Sequence, residues 1–533
     1  MDKKKILNPG FLVPFAFFLG LFFVGLAFRN DYGSFWDEGI ERYSGIVNMN
    51  AVARLIIPRI TQKIEEEKGV SIQPLSGYVN RYYGVVLQLP LAGWEMLKGF
   101  SLDKKHMWQA RHLILFLFVV LSSIFLFFLL KKTLGHWGFG LLGVAFFWTT
   151  PRFFAESFYN VKDVGFLAAF IIGFFFLIRF YESSKGGRAV AVGITSAFAA
   201  AVRLLGGVFL LFALGFDIWK LKKHEISLKD FFLQMLALIA SFAGFLVLFY
   251  PASWNNPFKF FLEAAAYMRN FPWNGDVLFL GSILSAHRLP WYYLPVWIFI
   301  TTPIPVLLFF AIGLGTGFIR LLKRNYSLTQ IERALWFTSA LLVVGFLILV
   351  FVTRPTLYDG WRHFYFLYVP MIAVAVIGVA EVQSIIFRVW SAGRNARLSV
   401  SVIALLVMFS PLCFWMIRNH PFQYVYFNSL ARPNAFSLFE KDYWGVSEIK
   451  GLEYIMRTDS SSTIRLVNEG PILQISEMLS ERDRRRIEWV KTPEEADYRI
   501  LTFRTTLSDE VSGNEVFFIR VDGHRILSVV KNG

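Results

Sequence analysis

The stretch QARHLILFLFVVLSSIFLFFLL, residues 109–130, decides the class of fold. It is apolar over about 20 consecutive residues, which is the length a helix needs to cross the hydrocarbon core of a bilayer. The whole chain shares this bias, because 55% of its 533 residues are hydrophobic and 59 are Phe. A soluble domain must cover itself with polar side chains and rarely reaches this composition. The sequence therefore predicts a polytopic α-helical membrane protein.

Apolar runs of similar character recur on both sides of this stretch, and by the same length criterion we count about eleven. They lie near residues 11–28, 109–130, 137–150, 164–179, 189–202, 204–218, 231–250, 291–319, 334–352, 364–386 and 398–417. The two runs that flank Arg203 are either two helices or one. Residues 82–98 contain Pro90 and Glu95 and are predicted as a juxtamembrane or re-entrant helix. The first run lacks the cleavage site of a signal peptide, so we expect it to be retained.

The positions of Lys and Arg predict the orientation, because short basic loops tend to stay cytoplasmic. The basic residues that fall on one side are Lys3, Lys4 and Lys5; Lys131 and Lys132; Arg179, Lys185 and Arg188; Lys220, Lys222, Lys223 and Lys229; Arg320, Lys323 and Arg324; and Arg388, Arg394 and Arg397. We therefore expect a cytoplasmic amino terminus. Eleven crossings then place the carboxyl terminus outside a plasma membrane, which in bacteria is the inner membrane.

From residue 419 onward the composition changes, and two domains are predicted. Residues 1–418 form the transmembrane domain, with a long first outer loop over 29–108. The tail, residues 419–533, contains 15 Lys plus Arg and 17 Asp plus Glu, so the basic excess belongs to the membrane part. Loops that face anionic lipid explain this excess, and no nucleic-acid partner is predicted.

The tail has the patterns of a small extracytoplasmic α/β domain. The predicted strands are TIRLVNEG, ADYRILTFR, NEVFFIRV and HRILSVVK, and the predicted helices are EIKGLEYIMR and PILQISEMLSERDRRR. The lone Cys413 excludes both a disulfide framework and a cysteine-rich metal site.

Two outer loops bring acidic residues to the same membrane surface. FWDEGIERYSG, residues 35–45, places Asp37 and Glu38 just beyond the first helix, and TPRFFAESFYNVKDVGF, residues 150–166, contains Arg152, Glu156, Lys162 and Asp163. Interfacial charges are often simply solvated. Here aromatic residues surround each acid, which favours a functional role at the level of the lipid headgroups.

Arginines at the same surface indicate a site for phosphate. Arg203 interrupts an apolar run, and a central arginine costs about 2.5–3.5 kcal/mol to insert, so it must face protein, water or a lipid phosphate. The alternative is a helix hairpin whose tip lets Arg203 snorkel to the outer interface. The stretch TRPTLYDGWRHFYF, residues 353–366, adds Arg354, Tyr358, Asp359, Arg362 and His363, and a guanidinium suits phosphate oxygens. His363 taken alone is compatible with a structural histidine.

These segments together resemble the GT-C fold lipid-linked glycosyltransferases, specifically the family of protein O-mannosyltransferases and aminoarabinose transferases (glycosyltransferase family 39). The resemblance rests on the acid pair after the first helix, YYGVVLQLPL, TPRFFAESFYNVKD and GWRHFYFLYVP, with HPFQYVYFNSL and DYWGVSEIKGLEYI similar to bacterial members. It covers roughly residues 1–450. It implies an enzyme that moves a sugar from a polyprenyl-phosphate donor in the membrane lipid to an acceptor outside.

The resemblance also implies roles for individual residues. Asp37 is expected as catalytic base or metal ligand, Glu38 shares or replaces that role, and Asp163 assists. The donor phosphate is expected to contact Arg203, Arg362, His363, Arg152 and Lys162. No cofactor is certain; a divalent metal ion, if one is used, would be held by Asp37 and Asp163.

The acceptor stays open between a glycan, a lipid and a protein. The β-trefoil insertion of the eukaryotic mannosyltransferases has no counterpart here, which weakens the case for protein. Two other functions are compatible with a polytopic chain: a transporter or flippase of envelope precursors, and a non-catalytic scaffold. Charges concentrated at one face and acids from two loops favour the glycosyltransferase over both.

Overall fold

The structure, a computed structural model, describes residues 8–69, 71–100, 103–183, 186–269, 273–323, 329–389, 393–467, 472–506 and 510–532. Its helices are α1 (Pro9–Phe28), α2 (Glu38–Ile56), α3 (Pro58–Lys68), α4 (Gln88–Leu97), α5 (Lys104–Thr133), α6 (Trp137–Trp148), α7 (Pro151–Tyr159), α8 (Asp163–Glu182), α9 (Gly186–Ala200), α10 (Val208–Lys222), α11 (Leu228–Phe249), α12 (Pro257–Arg269), α13 (Tyr293–Thr301), α14 (Ile304–Leu322), α15 (Gln330–Thr353), α16 (Tyr368–Val389), α17 (Arg394–Arg418), α18 (Arg432–Leu438), α19 (Glu448–Thr458), α20 (Ile472–Ile475) and α21 (Glu481–Arg484). Its strands are β1 (Asp276–Phe279), β2 (Ser282–Ser285), β3 (Ile464–Val467), β4 (Ile487–Val490), β5 (Tyr498–Thr502), β6 (Asn514–Val521) and β7 (His524–Lys531).

All eleven predicted apolar runs are mainly helical, although the run 291–319 is divided at Thr302 and Pro303 into α13 and α14, and the chain is an integral membrane protein. Within the described ranges, eight helical segments are long and apolar enough to cross a bilayer: Pro9–Phe28, Lys104–Thr133, Asp163–Glu182, Leu204–Lys222, Leu228–Phe249, Ile304–Leu322, Gln330–Thr353 and Arg362–Val389. The other three runs coincide with α6, α9 and α17. Helices α6 and α9 are shorter than a full crossing, and α17 has its apolar part over Val402–Arg418.

The structure settles two local alternatives. The runs that flank Arg203 are two helices, since Arg203 itself has extended backbone angles (φ −142°, ψ 132°) between α9 and a short turn over Leu204–Gly207. The segment 82–98 contains the ten-residue helix α4. A crossing helix needs about 20 residues, so α4 alone is too short to span a bilayer.

The tail folds as the predicted α/β domain around a five-stranded sheet of order β4-β3-β5-β7-β6. Strand β3 pairs in parallel with β4 and β5, while β7 pairs antiparallel with β5 and β6. Helix α19 packs on this sheet, and Gly451 allows a close approach to Leu527 and Val529.

Two details of the tail differ from the sequence prediction. PILQISEMLSERDRRR is not one helix, because Ser480 has extended backbone angles and its hydroxyl accepts from the Asp483 N–H at 3.1 Å, so it begins a new turn, α21. Strand β4 was not predicted; it lies directly after that turn. Strand β4 is stabilised by pairing with β3, which is a contact between separate segments of the chain.

The apolar core of the tail is continuous with the membrane part. Met107 and Trp108, from the start of α5, belong to the same buried cluster as Leu452 and Val529 of the tail. The Trp108 Nε1–H also donates to Glu477 at 3.1 Å. The tail therefore packs directly against the end of a membrane helix.

The predicted orientation can be measured by single-cysteine labelling in a Cys413→Ser background, because Cys413 is exposed. Lys3, Lys4, Lys5, Lys185 and Arg324 lie outside the described residues. Segment 151–163 is almost entirely buried, so probes belong elsewhere. Lys491→Cys in the tail and Lys223→Cys after α10 replace exposed side chains. We expect an impermeant maleimide to label position 491 from outside the plasma membrane and position 223 only after permeabilisation. The reverse pattern would contradict the orientation.

Candidate active site

Arg362 lies where three carboxylates from separate parts of the chain meet. Its Nη1 atom lies 3.1 Å from Asp37 Oδ2 and 3.5 Å from Asp163 Oδ2, and its Nη2 atom lies 3.1 Å from Asp359 Oδ2. The guanidinium is sandwiched by aromatic rings, 4.8 Å from the centre of Tyr358 and 4.6 Å from that of Trp444. A planar cation with several N–H donors can serve all of these partners at once.

The local backbone explains how Arg362 reaches this position. Asp359 and Gly360 both have left-handed backbone angles, with φ of 54° and 73°. Asp and Gly tolerate this region better than other residues. The Gly360 N–H donates to Tyr293 Oη at 3.1 Å, which fixes the turn, and the chain then enters the short helical segment Arg362–Leu367 ahead of α16.

Asp163 begins α8 and is held from several directions. Its backbone N–H bonds to Asn160 Oδ1 at 2.9 Å, and Asn160 Nδ2 donates back to Asp163 Oδ2 at 3.2 Å. Arg203 forms an ion pair with its other oxygen, Oδ1. Only 1% of the Asp163 side chain is exposed, and its carboxylate lies between the guanidiniums of Arg203 and Arg362. Arg203, which the sequence places at the interface, therefore faces protein.

Asp37 is the accessible member of this group. It is the residue before α2, but its carboxylate makes no capping hydrogen bond to that helix. Instead its Oδ2 atom accepts from Arg362, while 41% of the side chain is exposed. The carboxylate is thus oriented by a buried cation and open to a solute on its other side.

Glu38 and Lys162 form separate pairs. Glu38 is 4% exposed and lies 3.1 Å from His112 Nε2 on α5, so it faces away from Arg362. Lys162 donates to Glu41 at 2.7 Å and lies 3.4 Å from the centre of the Tyr83 ring. Burial lowers the pKa of Lys162, and the Glu41 carboxylate opposes that shift.

The structure places Arg152 and His363 around the Arg362 cluster. Arg152 is 2% exposed, donates to the Tyr426 carbonyl at 3.1 Å and contacts Tyr443 Oη at 3.3 Å. His363 lies edge-on to Tyr358, with ring centres 4.8 Å apart. Arg152 therefore lies in the buried layer next to the site, whereas His363 contacts the Tyr358 ring that covers Arg362.

A buried hydrogen-bond network connects Arg152 to Asp163 through Glu156. Tyr365 Oη donates to Glu156 Oε1 at 2.9 Å, and Asn160 Nδ2 donates to Glu156 Oε2 at 2.7 Å. Burial raises the pKa of Glu156 to about 7, although the bond from Asn160 and the charge of Arg152 oppose the shift. Glu156 is thus poised to change its charge near neutral pH.

Sequence reasoning missed Arg504 and Glu440, and it placed Asp359 in the outer cluster without assigning it a role. Arg504 Nη2 lies 2.5 Å from Asp359 Oδ1, and Arg504 Nε lies 3.0 Å from Glu440 Oε1. The pair Asp359-Gly360 carries a recognisable turn signal. Arg504 has no such signal, since it ends an ordinary strand pattern.

The described residues contain no group of three or more His, Cys, Asp or Glu side chains placed to hold a metal ion. The expected metal ligands, Asp37 and Asp163, are instead both paired with Arg362, and Asp163 also with Arg203. The residues present do not assemble the donor set of a divalent cation, so we derive no chemical step through one.

Two solved structures align with nearly the whole chain, each covering 98% of both partners. They are ArnT from Cupriavidus metallidurans bound to undecaprenyl phosphate, at 12% identity and a TM-score of 0.48, and the same protein in the apo state, at 13% identity and 0.44. No protein-family model and no curated protein matches the sequence.

The raised pKa of Glu156 predicts a pH-dependent stability. Between the ordinary carboxyl pKa and about 7, the folded state holds a proton that the unfolded state has lost, so the stability from this group falls as pH rises through that window. Glu156→Gln removes the titration, and we expect its melting temperature to fall less than that of the wild type between about pH 5 and pH 8. Glu453→Gln, an exposed acid of the tail, is the control. Equal pH slopes for Glu156→Gln and the wild type would contradict the assignment.

Proposed function

We propose that this protein is a membrane glycosyltransferase that moves a sugar from a polyprenyl-phosphate donor to an acceptor at the outer face of the membrane. The observation that carries the proposal is the arrangement of Asp37: an exposed carboxylate held by Arg362, which is linked through Asp163 to Arg203. The Arg203 and Arg362 side chains lie at the ends of the apolar segments Leu204–Lys222 and Arg362–Val389. Lipid phosphates occupy that depth of a bilayer.

In this reaction Asp37 acts as the general base. An acceptor hydroxyl attacks the anomeric carbon while its proton passes to the Asp37 carboxylate. The bond between that carbon and the phosphate oxygen breaks, and the electron pair leaves with polyprenyl phosphate. A fixed cation next to the leaving oxygen stabilises the charge that develops there.

Arg203 and Arg362 differ in exposure, and we assign them different roles in stabilising the leaving phosphate. Arg203 is 20% exposed and has a single carboxylate partner, Asp163, among the described residues. Arg362 is 7% exposed and has three. We propose Arg203, with Lys162 and His363, as the direct contacts of the donor phosphate, and Arg362 as the group that orients Asp37. Arg152 supports them from the buried network, and Glu38 stabilises the start of α2 through His112.

The remaining assignments belong to the same proposal. Residues 1–418 form the transmembrane domain and 419–533 an extracytoplasmic domain, in a plasma membrane with the amino terminus inside. The acceptor is a glycan, a lipid or a protein. A panel of polyprenyl-phosphate sugars offered to purified protein tests the reaction type, since release of polyprenyl phosphate requires bond cleavage. Movement of intact donor across a vesicle without release would indicate a flippase instead.

Replacing the base gives the sharpest test of the site. Asp37→Asn keeps the shape of the side chain and a carbonyl oxygen for Arg362, but it cannot take the proton. We expect turnover to fall by about a hundredfold or more, the usual contribution of a general base. Binding of the donor should be retained.

Two variants serve as controls for Asp37→Asn. Asp31→Asn alters another acid of the same loop, which is paired with His420, and we expect nearly normal turnover. Glu38→Gln breaks the buried pair with His112, and we expect it to lower stability more than turnover. Folded Asp37→Asn protein that turns over within a few-fold of the wild type would refute the assignment of the base.

Removing Arg203 tests the phosphate site. Arg203→Ala deletes a charge-assisted contact to the donor, and we expect a short-chain polyprenyl phosphate to bind about tenfold or more weakly, as measured by calorimetry in detergent. Arg354→Ala, an exposed arginine that precedes the Arg362 turn, is the matched control. Equal affinities of wild type and Arg203→Ala would show that Arg203 serves only to hold Asp163.

A further inference from the structure

The tail contacts both of the segments that build the candidate active site. On one side, Gln474 Nε2 donates to the Phe35 carbonyl oxygen at 3.0 Å and bonds to the Ser34 hydroxyl. Gly39 makes this approach possible, because a Cβ there would overlap the Gln474 side chain. The tail therefore holds the backbone just before Asp37 by hydrogen bonds and lies against the backbone just after it.

On the other side, Arg504 reaches the turn that carries Arg362. Its guanidinium bonds to Asp359 Oδ1 at 2.5 Å and to Glu440 Oε1 at 3.0 Å, and 27% of its side chain is exposed. The Arg504 carbonyl oxygen also accepts from the Lys441 N–H at 3.2 Å, which fixes the backbone of this residue. Arg504 is thus anchored at both its main chain and its side chain.

Asp359 transmits the position of Arg504 to Arg362. One of its oxygens accepts from Arg504, and the other lies 3.1 Å from Arg362 Nη2. Each oxygen of this buried carboxylate is therefore held by a different guanidinium. Burial raises the pKa of Asp359, and the Arg504 charge is the largest opposing influence. Without Arg504, the Oδ1 atom of Asp359 would lose the contact that fixes the carboxylate beside Arg362.

We infer that Arg504 is a positioning residue for the active site: by holding Asp359 in place, it sets the orientation of Arg362 and through it that of Asp37. The tail then contributes to the geometry of the active site. Its meaning for catalysis rests on the proposed function, whereas the mechanical coupling between Arg504 and the Arg362 turn does not.

Hydrogen exchange measures that coupling without any substrate. In the full-length protein in detergent, Arg504→Ala should raise the exchange rate of amides in residues 356–366 about tenfold. The matched control is Arg465→Ala, which breaks an exposed pair with Asp497 in the same domain and should leave 356–366 unchanged. Unchanged exchange in Arg504→Ala, or a general rise equal to that of Arg465→Ala, would overturn the inference.

Two further variants keep the test decisive if Arg504→Ala does not fold. Arg504→Lys keeps the charge, but a single ammonium cannot bond to Asp359 and Glu440 with the same fork, so we expect an intermediate rise. Asp359→Asn weakens the same contact by changing the carboxylate instead of the arginine. In the double variant with Arg504→Lys the rise should be no larger than in Asp359→Asn alone, because Arg504 acts on Arg362 through Asp359. Exchange at the wild-type rate in both Arg504→Lys and Asp359→Asn would equally overturn the inference.

Turnover provides the second readout. We expect Arg504→Ala to reduce kcat about tenfold or more with a smaller change in KM, because small displacements of an orienting group are costly to the chemical step. If the wild type releases no polyprenyl phosphate, the proposed function fails while the exchange result still stands. If the exchange is unchanged in a protein that turns over, the positioning role fails and the proposed function survives.

Discussion

The pairing of one buried guanidinium with three carboxylates is the constraint on which the rest of the structure depends. Arg362 and Asp37 are 325 residues apart in the chain, Asp163 comes from a third segment, and Asp359 lies three residues before Arg362 in the same turn. A buried charge without its partners destabilises a fold by about 3–5 kcal/mol. All three segments must therefore arrive together, and this requirement fixes the ends of the membrane helices that precede or follow them.

The charges in the cluster alternate in sign, and this lowers the free-energy cost of burying them. Arg203, Asp163, Arg362, Asp359, Arg504 and Glu440 follow one another so that each buried group contacts the opposite sign. Aromatic rings cover the central guanidinium, and Trp444 comes from the tail. Interactions between charges strengthen when water is excluded. The tail thus contributes the ring of Trp444 and the guanidinium of Arg504 to a cluster that also contains residues of the membrane part.

The sequence was sufficient for the helices and for the types of residue at the site, but not for their pairing. Apolar length predicts the membrane helices because each must satisfy its own backbone within lipid. Asp37, Asp163 and Arg362 stand out as charges beside apolar runs. Glu38 stands out equally, yet adjacent residues of a helix point in different directions, and only the structure shows that Glu38 faces His112. Arg504 is invisible in the sequence, since its partner Asp359 lies 145 residues away.

Exposure separates the roles of the two acids that share Arg362. Asp163 is 1% exposed and its oxygens are engaged by Arg203 and Arg362, so no acceptor can approach it. Asp37 is 41% exposed and shares the same cation. A base must reach the proton it removes, whereas an orienting group must not move. In the proposed reaction, the same arginine therefore serves one acid that reacts and another that holds the geometry. The difference between them is set by the burial of Asp163 at the start of α8 and the exposure of Asp37 just before α2.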